Sequence, residues 1–367
     1  MNPKKMKVLI AGGGTGGHLF PAIAIGDELK SNNVQVKYIG SKYGIESSYQ
    51  FIDKEDIVLL NLRGIQRSLS IKSIIRNLAL PFRIIKSFYI VNKIVKKFNP
   101  DMIIGTGGYS SAIPLYIGIK NKILTAIQEQ NVIPGMVTRK FYNKVDFIFT
   151  SFEETNKYLD NNKILFTGNP IRSIIKKINI EKAKKKIGLE AERFTILIIG
   201  GSQGAKSINK HIAKEYKKYL DNNIQIIWQI GKNSDNLING ISSSSIKIFE
   251  FINEMDLAYS ASDLIISRAG ATAISEILFL EKPSILIPYP YSANNHQEIN
   301  ADTLEKKNTA IKVNEEEFKK GKLEEMIFEL SKSSSKINFY INNIKKNSMQ
   351  NSSYLIRQHI MDAINAR

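Results

Sequence analysis

This chain of 367 residues contains no cysteine, which excludes disulfide bonds, thiolate metal sites and cysteine nucleophiles and is compatible with a reducing cytoplasm. It has no apolar run near the roughly 20 residues that a transmembrane helix needs. Its first strand follows a short charged segment rather than the apolar core of a signal peptide. We therefore expect a soluble protein or one attached peripherally to a membrane.

Acidic residues are scarce relative to basic ones. The 52 Lys and Arg residues face only 34 Asp and Glu, which gives a formal net charge of +18. Such a charge suggests a polyanionic partner, namely nucleic acid, anionic lipid or a substrate with several phosphates. The alternative is an AT-rich genome that favours Lys, Asn and Ile, and composition alone leaves both explanations open.

A glycine-rich turn, Gly12 to Gly17, lies between the predicted strand Lys7–Ala11 and a predicted helix over 20–30. Glycines at a helix N-terminus leave backbone N–H groups open to phosphate or another bulky anion. The spacing G-x-G-x-x-G also occurs in dinucleotide-binding folds, where an acidic residue about 20 positions on holds a ribose. Here the second predicted strand, Val34–Ile39, ends in Gly40-Ser41-Lys42 without an acid. A dinucleotide site is therefore disfavoured.

Strands and helices alternate along the whole chain, with a break at 168–170. This predicts an α/β protein with two Rossmann-like parallel-sheet domains that face each other across a cleft. We assign residues 1–168 to the first domain, which a carboxyl-terminal helix over 350–367 could complete, and 169–349 to the second. The predicted strands are Lys7–Ala11, Val34–Ile39, Ile57–Leu60, Met102–Gly105, Ile123–Ile127, Val145–Phe149, Ile164–Thr167, Thr195–Ile199, Ile224–Ile230, Ile246–Phe249, Leu264–Ser267, Ser284–Ile287 and Ala310–Val313.

Three more glycine turns follow predicted strands, at 105–108, 200–204 and 270. Because parallel strands end at the same edge of their sheet, the four turns predict a cleft lined for phosphates. The alternative is that these glycines only permit tight turns between strand and helix.

The segment Asn61–Pro100 holds nine basic residues and no acid, interleaved with bulky apolar side chains. Pro81 should divide it into two helices. A basic helix with bulky apolar neighbours is typical of a membrane-surface element. An ordinary crossover helix with its apolar stripe in the core would have the same pattern, and the sequence does not separate the two.

Taken together, the motifs resemble those of the MurG family, and the likeness covers nearly the whole chain. The resemblance rests on Gly13-Gly14-Thr15-Gly16-Gly17-His18, Gly107-Gly108-Tyr109, Glu129-Gln130-Asn131, Gly168-Asn169-Pro170 with Arg172, Gly200-Gly201-Ser202-Gln203-Gly204, Ser267-Arg268-Ala269-Gly270-Ala271, Ser275-Glu276, Gln297 and Asn300-Ala301. It implies the two-domain GT-B fold and an inverting transfer of N-acetylglucosamine from UDP-GlcNAc to undecaprenyl-pyrophosphoryl-muramoyl-pentapeptide. This step converts lipid I to lipid II in peptidoglycan synthesis. The resemblance also implies peripheral attachment to the cytoplasmic face of the inner membrane, with neither a cofactor nor nucleic acid as a partner.

The resemblance assigns the lipid acceptor to the first domain and UDP-GlcNAc to the second. It places the acceptor near Gly14, Thr15, Gly16, Gly17, Gly107, Gly108 and Tyr109. It places the donor near Thr15, Gly17, Asn131, Arg172, Ser202, Gln203, Phe251, Ile252, Gly270, Ala271, Thr272, Ala273, Glu276, His296 and Gln297. His18 and Asn131 are the catalytic candidates. Two positions depart from the family pattern, since Gln128 stands where His is usual and His296-Gln297 stands where some members have Gln-Gln.

The chemistry of the reaction agrees with these roles. No Asp-x-Asp pair is present to hold a divalent cation at the departing diphosphate, so glycine turns and helix N-termini, with Arg172 or Arg268, must stabilise its charge. His18 suits a general base because the positive end of a helix disfavours imidazolium. Both residues also have a purely structural explanation. His18 could fix the turn by a hydrogen bond, and Glu276 could be present only because a helix N-terminus favours a carboxylate.

Two other classes of function remain open at this stage. Another UDP-sugar enzyme, such as a lipid glycosyltransferase or a UDP-GlcNAc 2-epimerase, would share the nucleotide half. An epimerase would need further acid–base carboxylates and no basic, apolar surface element. A non-enzymatic RNA- or lipid-binding protein would explain the charge of +18 but not four glycine turns.

Overall fold

The computed structural model describes residues 5–47, 52–62, 78–160, 162–201, 204–232, 235–347 and 351–367. The chain folds into two compact units. One comprises Met1–Arg172 together with Asn351–Arg367, and the other comprises Ser173–Gln350. Each is an α/β unit built on its own parallel sheet, as the alternating pattern predicts.

The first unit contains a seven-stranded sheet in the order β3-β2-β1-β4-β5-β6-β7. All its pairings are parallel. Its central strands are continuous apolar runs, and Val8, Leu9 and Ile10 are completely buried, as expected when helices cover both faces of a sheet. The strands are β1 (Lys7–Gly12), β2 (Gln35–Ser41), β3 (Ile57–Leu60), β4 (Met102–Gly107), β5 (Leu124–Glu129), β6 (Phe147–Thr150) and β7 (Ile164–Phe166).

Five α-helices whose bounds lie within the described ranges accompany this sheet. They are α1 (Gly16–Ser31), α2 (Leu80–Phe98), α3 (Tyr109–Lys120), α4 (Met136–Phe141) and the carboxyl-terminal helix (Ser352–Asn365). The last returns to pack on α1. Its Arg357 Nε donates to Glu28 Oε1 at 2.9 Å, and Ile356 and Ile360 are buried in the core beside β1.

The second unit contains a six-stranded parallel sheet in the order β10-β9-β8-β11-β12-β13. Its strands are β8 (Thr195–Ile199), β9 (Gln225–Gln229), β10 (Ile246–Phe249), β11 (Leu264–Ser267), β12 (Ser284–Leu286) and β13 (Ile311–Lys312). Its helices are α5 (Ile180–Ile187), α6 (Lys206–Asp221), α7 (Met255–Ala261), α8 (Ala271–Phe279), α9 (His296–Lys306), α10 (Glu315–Lys319), α11 (Lys322–Ser331) and α12 (Ser334–Asn347). In chain order the carboxyl-terminal helix is therefore α13.

Each sheet reverses its strand order beside its first strand. The reversal lies between β1 and β4 in the first unit and between β8 and β11 in the second. Ligands of open α/β sheets bind at the carboxyl ends of the strands at such a switch point. The four predicted glycine turns follow these four strands, so each unit has two of them at its switch point.

Helix α2, in the basic segment 61–100, has two different faces. Pro81 lies in its first turn, where a missing N–H has no cost, and residues 63–77, which would form the other predicted helix, lie outside the described residues. Ser87, Val91, Val95 and Phe98 form a buried face. Phe82, Ile85 and Tyr89 form a second face at helical spacing and are 77%, 68% and 70% exposed.

No helix among the described residues is long and apolar enough to cross a membrane.

Candidate active site

A pocket of about 410 Å³ lies at the switch point of the first unit. The turn after β1, the first turn of α1 and the start of α3 form most of its wall. Its lining residues are Gly13, Gly14, Thr15, His18, Ser41, Tyr43, Leu62, Gly108, Tyr109 and Ser110. The structure thus brings together five of the predicted residues, Gly14, Thr15, His18, Gly108 and Tyr109, and adds Ser41 and Tyr43, which the sequence did not single out.

The sequence suggested that the N–H groups of the turn after β1 are open to an anionic ligand. In the structure, one of them is already bonded to a carboxylate of the protein. Gly14 N donates to both carboxylate oxygens of Glu46, at 2.9 and 3.0 Å, and Ser41 N donates to Glu46 Oε1 at 2.6 Å. The carboxylate of Glu46 therefore occupies an anion position that we expected a phosphate to fill. The first-turn N–H groups of α1, at Gly16 and Gly17, lack intrahelical partners and still suit an anion.

Three glycines make room for this buried carboxylate. A Cβ at Gly13 or Gly44 would lie 2.2 or 2.0 Å from a Glu46 oxygen, and one at Gly40 would lie 2.8 Å from Glu46 Cγ. Gly13 and Gly14 also have positive φ angles of 150° and 90°, which other residues rarely adopt. Glu46 is only 4% exposed and thereby fixes the conformation of the turn.

His18 lies in the first turn of α1, because this helix starts at Gly16 rather than at the predicted Phe20. Its Nδ1 is 3.1 Å from the carbonyl oxygen of Thr106 and 3.0 Å from Gln130 Oε1. A Cβ at Gly107 would lie 2.5 Å from this nitrogen. Gly107 therefore leaves the space that the imidazole occupies. This steric role explains a glycine at position 107 without any contact between its N–H and a ligand.

Two further predicted residues of the first unit have defined partners. The guanidinium of Arg172 stacks 4.1 Å from the ring centroid of Phe20, on α1, and Arg172 is 9% exposed. Asn131 follows β5, and its backbone N–H donates to Glu129 Oε1 at 3.1 Å. Glu129 also accepts from Gly135 N and Thr138 Oγ1, so this carboxylate organises the loop that carries Asn131.

In the second unit, Gln229 joins two of the segments predicted to hold the nucleotide. Its Nε2 donates to Gly201 O at 3.1 Å, in the turn after β8, and its Oε1 accepts from Ile252 N at 2.9 Å. Ile252 is 5% exposed, whereas the neighbouring Phe251 is 49% exposed. Ser202 and Gln203, also predicted to bind the donor, lie outside the described residues.

The switch point of the second unit lies between β8 and β11. The turn after β8 is on one side of it, and the turn after β11, which leads into α8, is on the other. Gly270 precedes the helix, and Ala271, Thr272 and Ala273 form its first turn. Thr272 Oγ1 is a buried hydroxyl without a hydrogen-bond partner in the described structure. A first turn with unpaired N–H groups and an unsatisfied hydroxyl suits an anionic ligand.

Glu276 lies one turn further along α8 and is 3% exposed. The hydroxyl of Tyr259, on α7, donates to Glu276 Oε2 at 3.2 Å. A buried phenol thus holds one oxygen of the carboxylate. A carboxylate that served only to complement the helix N-terminus would not need this hydrogen bond. At the start of α9, Gln297 Oε1 accepts from Tyr289 N at 3.0 Å, and His296 Nδ1 bonds Ala293 O.

Arg268 is not an unpaired cation, although the sequence left it as an alternative to Arg172. Its guanidinium donates to Glu315 Oε1 at 2.7 Å, to Ser207 Oγ and to the carbonyls of Ile287 and Pro288. Burial opposes ionisation of Glu315, but the hydrogen bonds from Arg268 and Ser207 outweigh it and lower the pKa of this carboxyl. Arg268 therefore ties β11 to α10 and the loop after β12.

Comparison with known proteins decides the family. Residues 8–150 match the glycosyltransferase family 28 N-terminal domain, and residues 195–360 match the family 28 C-terminal domain. A protein of Christiangramia forsetii, named UDP-N-acetylglucosamine–N-acetylmuramyl-(pentapeptide) pyrophosphoryl-undecaprenol N-acetylglucosamine transferase, is 37% identical over 98% of both chains. A protein of Flavobacterium psychrophilum with the same name is 38% identical over 86% of both chains. The chain belongs to this family, the MurG family.

Solved structures agree on the GT-B fold. The crystal structure of MurG from Acinetobacter baumannii superposes with a TM-score of 0.72 at 23% identity and covers 99% of this chain and 100% of its own. A UDP-N-acetylglucosamine 2-epimerase superposes with a TM-score of 0.68 at 14% identity and covers 99% and 97%. At these identities the likeness establishes the fold, which transferases and epimerases share.

The MurG-family motifs do not include every residue that shapes the two switch points. Glu46, Gln229 and Tyr259 were missed, although each contacts a predicted residue directly. Glu46 accepts from Gly14 N, which lies 32 residues earlier in the chain, so no local pattern connects the two. Tyr259 and Glu276 lie on different helices, α7 and α8, so no spacing rule connects them. Only the three-dimensional structure shows these contacts.

Proposed function

We propose that this protein transfers N-acetylglucosamine from UDP-GlcNAc to the muramoyl 4-hydroxyl of lipid I, with inversion, and so forms lipid II. The observation that carries the proposal is the position of His18. A half-buried imidazole lies in the wall of a pocket, at the N-terminus of α1 and beside that of α3. A base and two anion-favouring helix ends in one pocket suit a hydroxyl acceptor that carries a diphosphate.

The proposed chemistry is a single displacement at the anomeric carbon. His18 takes the proton of the muramoyl 4-hydroxyl as its oxygen forms a bond to C1 of the sugar. The bond from C1 to the diphosphate oxygen breaks, and UDP departs with the electron pair. Asn131, at the end of β5, would orient the sugar. Helix N-termini and Arg172 would stabilise the charge that gathers on UDP.

The two substrates are assigned to different units. The pocket of the first unit would take lipid I, with Tyr43 and Tyr109 at its mouth, where they are 43% and 45% exposed. The second unit would take UDP-GlcNAc. There the turn after β8 and the first turn of α8 would hold the diphosphate, Phe251 and Ile252 the uracil, and Glu276 the ribose.

Divalent metal is not needed in this account, and that gives a prediction. Activity should persist in excess EDTA, because N–H groups and Arg172 supply the positive charge that a cation supplies elsewhere. Among the described residues, no group of three or more His, Cys, Asp and Glu side chains could hold a metal ion. Loss of transfer on chelation, restored by Mg²⁺, would contradict this mechanism.

The exposed face of α2 supports a peripheral position at a membrane. The proposed function assigns it to the cytoplasmic face, where lipid I would be presented. Phe82, Ile85 and Tyr89 form the apolar part of this face. Lys93 and Lys96 continue the same face toward the end of the helix and are exposed. Apolar side chains followed by lysines suit insertion between lipid chains with the cations at anionic headgroups.

Replacing Phe82 and Ile85 together by serine should weaken binding to phosphatidylglycerol vesicles by at least about tenfold, because two large apolar side chains lose their burial in lipid. Sedimentation with vesicles measures the effect. Phe339→Ser is the matched control, since Phe339 is 49% exposed but lies on α12 of the other unit. Activity on a water-soluble acceptor analogue should be unchanged in both variants.

Charge reversal at Arg83 and Lys86 and added salt should also weaken vesicle binding. If binding survives the apolar changes, the charge reversals and high salt, α2 is only a crossover helix.

The proposed activity is tested by following UDP release from UDP-GlcNAc with and without a short-chain lipid I analogue. Release should require the acceptor. Release without an acceptor, or no release together with tight, salt-sensitive RNA binding, would favour one of the rival functions.

A further inference from the structure

A chain of buried amide side chains ends on the imidazole of His18. Gln130 Nε2 donates to Thr106 O at 2.8 Å, to Gln128 O at 2.9 Å and to Gln128 Oε1. Gln128 Nε2 in turn donates to Ser151 Oγ and to Asn169 Oδ1, both at 3.1 Å. Gln128 and Gln130 are 1% and 2% exposed. One amide nitrogen at the end of the network away from His18, Asn169 Nδ2, is buried without a hydrogen-bond partner in the described structure, whereas the Gln130 amide beside His18 is bonded through both its nitrogen and its oxygen.

Backbone carbonyls fix the orientation of the Gln130 amide. Thr106 O and Gln128 O can only accept, so the Gln130 atom that faces both of them must be the NH₂ group. The carbonyl oxygen of the same amide therefore faces His18 Nδ1, at 3.0 Å. A flipped amide would set its oxygen against two backbone carbonyls.

The two neighbours of His18 Nδ1 are then both acceptors, Thr106 O and Gln130 Oε1. A nitrogen that faces two acceptors must carry the proton. In a neutral imidazole the other nitrogen, Nε2, then holds the lone pair.

We propose that Gln130 is a positioning residue that holds His18 as the Nδ1–H tautomer, so that Nε2 is free to act as the base. This inference rests on the proposed function, in which His18 accepts the proton of the acceptor hydroxyl. Gln128 acts one step further back, because its carbonyl groups hold the NH₂ group of Gln130. Gln130 acts only through the imidazole and contacts no substrate in this account.

The contribution of Gln130 should grow during the reaction. As Nε2 takes the proton, the ring becomes imidazolium, and its Nδ1–H bond becomes a hydrogen bond from a charged donor. Such bonds are stronger than neutral ones. Loss of the Gln130 oxygen should therefore lower kcat more than it changes substrate binding.

The test is Gln130→Met, which keeps the size of the side chain and removes its amide. We expect kcat to fall by about tenfold and KM for UDP-GlcNAc to stay unchanged. Gln225→Met is the matched control. Gln225 is 1% exposed and bonds Glu190 N, Glu190 O and Thr195 Oγ1 in the second unit. The Gln225→Met substitution should lower thermal stability without lowering kcat. An unchanged kcat in Gln130→Met would overturn the proposal.

A double variant separates this proposal from the proposed function. If Gln130 acts through His18, then Gln130→Met should cost nothing further in a His18→Ala background. A further tenfold loss in the double variant would show that Gln130 acts independently, and would overturn the positioning role. An unaffected His18→Ala single variant would instead remove His18 as the base.

The tautomer itself can be observed. The chain has four histidines, so ¹H–¹⁵N spectra of the imidazole rings can be assigned to His18 by the signal that His18→Ala lacks. We expect Nδ1 to be protonated and Nε2 not. The opposite tautomer would overturn the proposal whatever the kinetics.

Discussion

Replacement of His18 by alanine is expected to lower kcat by about 10²–10⁴, the usual contribution of a general base. UDP-GlcNAc is assigned to the second unit, so its KM should change little. The large loss of kcat is expected from the geometry of the pocket as well as from the chemistry of a base. The Nδ1 of His18 is held by two acceptors, which leaves Nε2 as the basic atom in the wall of the pocket. Steady-state kinetics with a soluble lipid I analogue measures both constants.

His18→Asn tests whether the imidazole is a base or only a structural hydrogen-bond donor. The asparagine NH₂ group can take the place of Nδ1–H and donate to Thr106 O, but it offers no basic nitrogen. If His18 only fixes the turn after β1, the asparagine variant should keep most of the activity. If His18 is the base, asparagine should be as inactive as alanine, and melting temperatures should show that both variants are folded.

The second large effect is expected at Glu276. If its carboxylate accepts hydrogen bonds from the two ribose hydroxyls, its loss leaves those donors unpaired in a partly dry site. Hydrogen bonds to charged groups contribute roughly 1.5–3 kcal/mol, or about ten- to a hundredfold in affinity. Glu276→Ala should raise KM for UDP-GlcNAc by that factor with little change in kcat, because the contact is made in the ground state and the transition state alike.

Two further variants refine this test. Glu276→Asp should recover little, because the shorter side chain does not reach the ribose. Glu276→Gln keeps an oxygen that can accept from Tyr259 at the position of Glu276 Oε2, so it should fold normally and still bind the nucleotide less tightly. Discrimination against 2′-deoxyribose donors should shrink in Glu276→Ala. An unaltered KM in that variant would mean that the donor site lies elsewhere.

The local pattern of the sequence predicted the fold well. Apolar runs predicted all thirteen strands of the two sheets to within two residues at each end, and four of these strands are followed by glycine turns. This works because buried parallel strands are continuous apolar segments. The start of α1 was placed too late, since Gly16 and Gly17 have low helix propensity but form its first turn.

The site was less predictable, because its contacts join distant parts of the chain. Gly14, Thr15, His18, Gly108 and Tyr109 were expected together and share one pocket. The role of Glu46 was not foreseen. The sequence offers no acid directly after β2, and the short helical turn Ile45–Ser47 is what brings this carboxylate back to Gly14.

Charge and apolar patterning also had limits. Composition did not show that Arg268 is neutralised by Glu315, because the two lie on different elements. The periodicity of α2 could not separate a core face from a surface face, since the helix has both. The assignment of the acceptor and donor to the two units remains a prediction, as do the roles of the individual site residues.

The central claim is tested most directly by the structure of the product. The protein is incubated with UDP-GlcNAc and a short-chain lipid I analogue, and the product is examined by NMR spectroscopy. The account predicts a disaccharide in which N-acetylglucosamine is joined to the muramoyl 4-oxygen with the anomeric configuration inverted relative to the donor. An epimerised UDP-sugar formed without the acceptor, or a disaccharide with retained configuration, would contradict it.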